Sequence, residues 1–327
     1  MKKKPHVTVI ITGTVTMVLL LLLSTAPVDH YMQTIKRHQA TKVDRPLSKE
    51  DELRSLIETW RVKHEIKAAD AYIDKEWKAA VPGYNGRLID VEASVQQMKL
   101  TGKPTVDQLV YREVEPSVTL EQLGAYPIYR GNPQKPAISF MINVAWGNEY
   151  LEPILQTLEK ENVKTTFFFD GSWTRRYPEL AQKIAKAGHE IGNHAYSHPD
   201  LQYSSPYQIR QEIGKTQQII EKTVGIKPTL FAPPSGSFNP QVVSIAHAEF
   251  QMKTIMWTAD TIDWQNPPVD VLIGRIDRKM GNGVLVLMHP TRSTVQGLPA
   301  LIRMAKQRGF TPTTVSEVIS SKRLDSP

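Results

Sequence analysis

The chain has no cysteine. That excludes disulfides, thiolate metal sites and cysteine nucleophiles, so any metal must be held by His, Asp, Glu or water. Histidine is scarce as well, with nine in 327 residues. No basic helix or aromatic sheet motif of the kind that binds nucleic acid is present. The formal net charge is nevertheless +7. Its basic residues are spread along the chain, a distribution that fits an anionic cell envelope better than a nucleic acid. Hydrophobic residues at 40% and charged residues at 22% are ordinary for a globular protein and exclude disorder throughout.

The chain does have one long apolar run, at its N-terminus. Lys2, Lys3 and Lys4 precede an uncharged stretch from Val7 to Val28. About 20 apolar residues span a bilayer, and positive charge ahead of them keeps that end in the cytoplasm. Residues 1–28 therefore read as a retained membrane anchor. The competing reading is a signal peptide cleaved near Ser24-Thr25-Ala26, where Pro27 makes a poor first mature residue. Either reading places the rest of the chain outside the cytoplasm. Residues 29–46 are polar and irregular and read as a tether.

A helix is expected to start at Ser48, a suitable N-cap, with Glu50, Asp51 and Glu52 complementing its dipole. Leu53, Leu56, Ile57 and Trp60 follow at helical spacing, and the pattern continues through Ile66, Ala69, Ile73 and Trp77 to Pro82-Gly83. A second short helix is expected around Val91 to Met98, then a strand over Leu109 to Val114. Proline and glycine between Pro116 and Pro133 mark a linker with a boundary near Gly131. Residues 47–131 thus read as a small α-rich domain, and they carry no chemical motif.

From Pro136 the pattern is regular. Buried strands are expected at Ala137–Val144, Lys164–Phe169, just before His194, at Thr229–Phe231, at Thr254–Trp257 and at Val284–Met288. Helices alternate with them: one carrying Leu151 to Leu158, Pro178 to Gly188, one from about Pro206, Pro240 to Ala248, Val269 to Met280, and a last one ending at Gly309. Such alternation implies parallel βα units, an open α/β sheet or a barrel, with the active site where strands end. Asn143, His194, Pro233, Asp260 and His289 are each expected just after a strand. Five such positions together are hard to assign to packing.

His194 and His198 are four residues apart, a spacing that on a helical turn turns both imidazoles to one side, where they hold one divalent metal ion. With these residues placed, residues 132–321 resemble the NodB-type polysaccharide deacetylases of carbohydrate esterase family 4. The resemblance extends to a sporulation-associated branch through the run Asn143-Val144-Ala145-Trp146-Gly147-Asn148-Glu149. It implies a distorted (β/α) barrel, a cell-wall glycan such as peptidoglycan as partner, and removal of acetyl groups from it. It also implies a divalent metal (zinc, cobalt or manganese), a metal-bound water, an aspartate base and a histidine acid.

Carried over by motif, His194 and His198 are the metal ligands, with Ala195 where the family has a hydroxyl residue. His289 in Leu287-Met288-His289 is the general acid. Asp263 in Asp260-Thr261-Ile262-Asp263-Trp264 orients it, and Trp264 walls the acetyl pocket. Trp146, Ser235 and Asp260 complete the substrate-binding set. Two motifs depart from the pattern. Asn143 and Val144 stand where the family has its base aspartate and its metal-binding aspartate. In Ala232-Pro233-Pro234-Ser235-Gly236 the motif's arginine and aromatic residue are missing. An amide is not basic at neutral pH, and loss of a general base costs about 10²–10⁴ in rate. Two neutral ligands also hold a metal weakly. The residues therefore imply weak or altered hydrolysis, or a glycan-binding protein without it.

Overall fold

The structure, a computed structural model, describes residues 30, 31, 33, 34 and 48–324. The expected anchor at 1–28 and most of the tether lie outside these residues. Among the described residues no helix is long and apolar enough to cross a membrane. The described residues form two compact units, one of residues up to Trp60 with Val91–Gln108, the other of Arg61–Asp90 with Leu109 onward.

The first unit contains most of helix α1 (Lys49–His64) and all of α2 (Val91–Thr101). Ser48 caps α1 as expected: its hydroxyl accepts from Asp51 N–H at 3.1 Å, and Asp51 accepts in return from Ser48 N–H at 3.1 Å. Ile57, Val95 and Met98 are buried. Glu50 on α1 pairs with Arg54 at 2.7 Å and with Lys99 of α2.

The second unit begins where the sequence reading fails. The helical pattern was expected to run to Trp77, but α1 stops at His64. Ile66 and Ala69 instead form antiparallel bridges with Arg87 and Tyr84. The Glu65 carboxylate supplies the cause: it accepts from Arg61 Nε at 2.9 Å and from Ile89 N–H at 3.1 Å, which ties the end of the helix to the returning chain. Strands β1 (Tyr72–Asp74) and β2 (Ala79–Val81) form a hairpin, and β3 (Gly86–Ile89) pairs antiparallel with β4 (Tyr111–Val114). Residues 47–131 are therefore mixed α and β, not α-rich. Tertiary pairing overrides the weak helical periodicity of a segment with many alanines.

The rest is an α/β fold around one parallel sheet. Its strands are β5 (Ala137–Val144), β6 (Thr166–Phe169), β7 (Glu190–Asn193), β8 (Leu230–Phe231), β9 (Lys253–Thr254), β10 (Ala259–Asp260), β11 (Val284–Met288) and β12 (Thr311–Pro312). Their order is β10-β11-β5-β6-β7-β8-β9, with β12 against the start of β5, and every pairing is parallel. Among the described residues no ladder joins β9 to β10, so the sheet is a half-barrel. At that gap the expected linker takes part: Ile128 bridges Ile255 and Arg130 bridges Val284.

Alternation along β5 builds the two cores. Ile138, Phe140, Ile142 and Val144 face the helices, among Leu151, Ile154 and Leu158 of α3 (Asn148–Lys160). Ala137 and Met141 face inward with Phe168, Leu230, Leu285 and Leu287. Successive strand side chains point to opposite faces, so Asn143 falls on the inner face and Val144 on the outer. The remaining long helices on the outside are α5 (Pro178–Lys186), α6 (Pro206–Val224), α7 (Pro240–Phe250), α8 (Val269–Asp277) and α9 (Arg292–Gln307); two short ones are α4 (Gly171–Arg176) and α10 (Val315–Ile319). The expected strand at Thr254–Trp257 contributes only Lys253–Thr254 and the Ile255 bridge, and Trp257 is free to leave the sheet.

Candidate functional site

The strand ends open into a cavity of about 410 Å³. It is lined by Asn143, Trp146, His194, His198, Ser235, Asp260, Trp264 and His289, together with Ala145, Trp257 and Leu287. Eight of the ten residues singled out in the sequence thus meet around one space. Of the other two, Pro233 does not line the cavity, and Asp263 is fully buried directly behind His289.

The Asp263–His289 pair is tightly fixed. Asp263 Oδ1 accepts from His289 Nδ1 at 2.8 Å, and Oδ2 accepts from the His289 backbone N–H at 2.6 Å. The Thr294 hydroxyl also donates to Oδ2. With Nδ1 committed as a donor, the Nε2 atom of His289 is left for a ligand. Trp146 stacks on the ring at 6.0 Å between centroids and 8° between planes. Gly147 makes that stack possible: its φ is +81°, and a Cβ there would lie 2.1 Å from the Pro290 carbonyl. Asp260 Oδ1 accepts from Ile262 N–H at 2.8 Å and shapes the turn that delivers Asp263 and Trp264.

His194 is buried, and its Nδ1 donates to the Ala232 carbonyl at 2.7 Å, so its Nε2 carries the lone pair. Burial pulls its pKa down to about 3, with the His198 and His289 rings adding to the effect and the carbonyl opposing it. It is neutral at physiological pH. The two imidazoles lie 5.3 Å apart between centroids, nearly edge to face. They do not share a helical turn, as the spacing had suggested, because Ala195 and His198 both have positive φ, near +58°. The loop is held instead by Asn193 Oδ1, which accepts from Ala195 N–H at 2.9 Å. The Glu212 carboxylate accepts from Tyr196 N–H, Ser197 N–H and the Ser197 hydroxyl, each at 2.8 Å.

Asn143 is buried at the cavity floor, and its Oδ1 has no hydrogen-bond partner among the described residues. Val144, the other substituted position, does not line the cavity; it is fully buried in the outer apolar cluster with Phe169 and Trp173. Trp257 and Thr294 were missed in the sequence. Trp257 sat inside an apparent strand, and its tell-tale is Gly236, whose φ is +67° and whose absent Cβ would stand 2.8 Å from the indole. Thr294 carried no signal.

Comparison with known proteins decides the family. The sequence model of the polysaccharide deacetylase family matches residues 130–253. The chain is 52% identical over 262 residues to the uncharacterized protein YlxY of Bacillus subtilis, covering 80% of this chain and 82% of that one. Among solved structures the chain resembles a family 4 carbohydrate esterase pseudoenzyme of Bacillus anthracis, at 46% identity and a TM-score of 0.78 over 84% of this chain and 96% of that one. This chain belongs to the polysaccharide deacetylase family. A mutant of that pseudoenzyme, described as having restored enzymatic activity, is similar at 45% identity and a TM-score of 0.77, over 83% of this chain and 99% of that one.

Metal dependence is general among these deacetylases, so the donor set has to be tested against it. His194 Nε2 and His198 supply two neutral nitrogens, and Asn143 Oδ1 adds only an amide oxygen. Among the described residues no group of three His, Asp or Glu is placed to hold a metal ion. Catalytic zinc sites commonly have three protein ligands. The residues present do not fit a tightly held catalytic metal.

Proposed function

We propose that this deacetylase-family protein holds an N-acetylated cell-wall glycan in the His289 cavity and hydrolyses it weakly. The observation that carries the proposal is the amide of Asn143, its Oδ1 unpartnered, lining the same cavity as the complete Asp263–His289 pair. His289 Nε2 is oriented to give a proton to a leaving amine, as its Asp263 partner demands. The two positions where the family has its base and its metal ligand hold no carboxylate: Asn143 is not basic, and Val144 is apolar. Loss of the base leaves the rate about 10²–10⁴ lower. Trp264, Trp146 and Trp257 supply aromatic walls for a sugar and its acetyl methyl, and Ser235 and Asp260 supply polar contacts.

The restored mutant of the related pseudoenzyme supports reading the loss as a matter of substituted residues in an intact cleft. A glycan-binding protein with no hydrolysis at all is the second reading, favoured by the simultaneous change at Asn143, Val144 and Ala232. Attachment to the outer face of the membrane rests on Lys2 to Lys4 and the apolar run to Val28. A role in sporulation rests on the motif from Asn143 to Glu149 alone.

The test is co-sedimentation of the full chain with insoluble peptidoglycan, before and after chemical N-deacetylation. Retention on the acetylated wall that drops on deacetylation, and drops again in Trp264→Ala, supports the proposal. Equal retention on both walls contradicts it.

A further inference from the structure

A second cavity, of about 180 Å³, lies on the other side of the segment that walls the first. Trp257 lines the His289 cavity, and the next residue, Thr258, lines this one. The remaining wall comes from the β1–β2 hairpin and from Tyr129 and Arg130. The hairpin is fixed in place: Ala80 N–H donates to the Pro127 carbonyl at 2.9 Å, and Asn132 Nδ2 donates to the Pro82 carbonyl at 2.9 Å.

The chemistry of the wall is specific. Asp74 Oδ1 accepts from Glu76 N–H at 3.0 Å and Trp77 N–H at 2.9 Å, which sets the hairpin turn and leaves Oδ2 uncommitted. Trp77 stands half exposed, edge-on to Tyr129 at 5.0 Å between centroids. Arg130 is the unusual member. Its guanidinium makes one hydrogen bond, from Nη2 to the Asn282 carbonyl at 2.9 Å, and no carboxylate lies in ion-pair range among the described residues. Its Nε is buried without a partner, and so is the Thr258 hydroxyl oxygen. A half-buried guanidinium with uncommitted donors is a site for a carboxylate, since burying charge or polar groups unpaired is costly. An aromatic face beside a free carboxylate oxygen is a site for a pyranose ring.

We propose that this cavity binds an acidic sugar: its ring lies against Trp77, its carboxylate on Arg130, and its hydroxyls on Asp74. It does not depend on how the His289 cavity is used. It gives the chain a second point of attachment to an acidic glycan, which raises avidity without new contacts at the first.

The test is saturation-transfer NMR and calorimetry on the full chain with three monosaccharides. N-acetylmuramic acid and N-acetylglucosamine differ by one carboxylate-bearing substituent, and glucuronic acid carries its carboxylate elsewhere on the ring. N-acetylmuramic acid is expected to bind at least tenfold more tightly than N-acetylglucosamine. Binding of glucuronic acid as well assigns the preference to the carboxylate in general; its failure to bind narrows the preference to the muramic-type substituent. Arg130→Gln and Trp77→Ala should each weaken N-acetylmuramic acid at least tenfold. Trp77 is half exposed, so its variant folds even if the Arg130 variant does not, and circular dichroism checks both. Equal binding of the two N-acetyl sugars, no binding of either, or retention in Trp77→Ala overturns the proposal.

Discussion

Val144→Asp gives the sharpest test of how the site was taken apart. The family pattern puts a metal-binding aspartate at this position, so the substitution looks like a repair. The structure gives the opposite expectation, because Val144 is fully buried on the outer face of β5 among Phe169, Trp173 and Leu151. Removing a buried valine forfeits about 1.5–3 kcal/mol of apolar burial. The new carboxyl must also stay neutral in that cluster. Raising an aspartate from its usual pKa near 3.9 to above neutrality costs about 1.4 kcal/mol per unit, or roughly 4 kcal/mol at pH 7. The sum, roughly 6 kcal/mol, is comparable to the whole stability of an ordinary domain. The sign of its pH dependence follows. A folded-state pKa raised above the unfolded value penalises the fold only above the unfolded pKa, so at pH 5 the ionisation part shrinks to about 1.5 kcal/mol. Urea unfolding of the parent and variant at pH 7 and pH 5 reads this directly. A loss of stability that falls by about 2–3 kcal/mol between the two pH values is expected. A loss below about 1 kcal/mol at pH 7, or one that ignores pH, would refute the outward placement of residue 144 and mean that its side chain reaches the cavity.

Asp263→Asn leaves at least one of its three donors unpaired and should cost about 1–3 kcal/mol; a melting temperature unchanged from the parent contradicts the network around His289. Gly147→Ala forces a Cβ toward the Pro290 carbonyl at a positive φ and should cost about 1–3 kcal/mol and release Trp146 from His289; unchanged stability and peptidoglycan retention count against that role for Trp146. Burial pulls the pKa of His189 down to about 4, with Lys164 adding to it, while its Nδ1 accepts from Thr165 N–H at 3.3 Å. Unfolded histidine takes up a proton near pH 6.5 and the folded one near 4, so stability is full above 6.5 and falls by up to about 1.4 kcal/mol per unit toward pH 4. His189→Gln should flatten that window in a urea series; an identical pH profile contradicts it.

Most of the sheet could be read from the residues because its central strands are unbroken apolar runs: β5 and β11 fall on Ala137–Val144 and Val284–Met288 as expected. The edge of the half-barrel could not, since β8, β9 and β10 are two residues each and depend on neighbours to exist. Helix α1 was overextended because Ile66, Ala69 and Ile73 keep a helical period while pairing as strands. The site was legible through residue types at strand ends, which the fold does gather. What a linear alignment hid was direction: Asn143 and Val144 are adjacent in sequence but on opposite faces of β5. Likewise, the His194–His198 pair owes its proximity to a loop with two positive-φ residues and to Glu212, none of which the four-residue spacing reveals.

On the proposed function, the amide at position 143 limits chemistry in this cavity. The decisive measurement is acetate released from N-acetylated peptidoglycan by the full chain, compared with Asn143→Asp under the same conditions. The expected result is a slow parent and a variant at least tenfold faster. A parent that releases acetate as fast as the variant contradicts it.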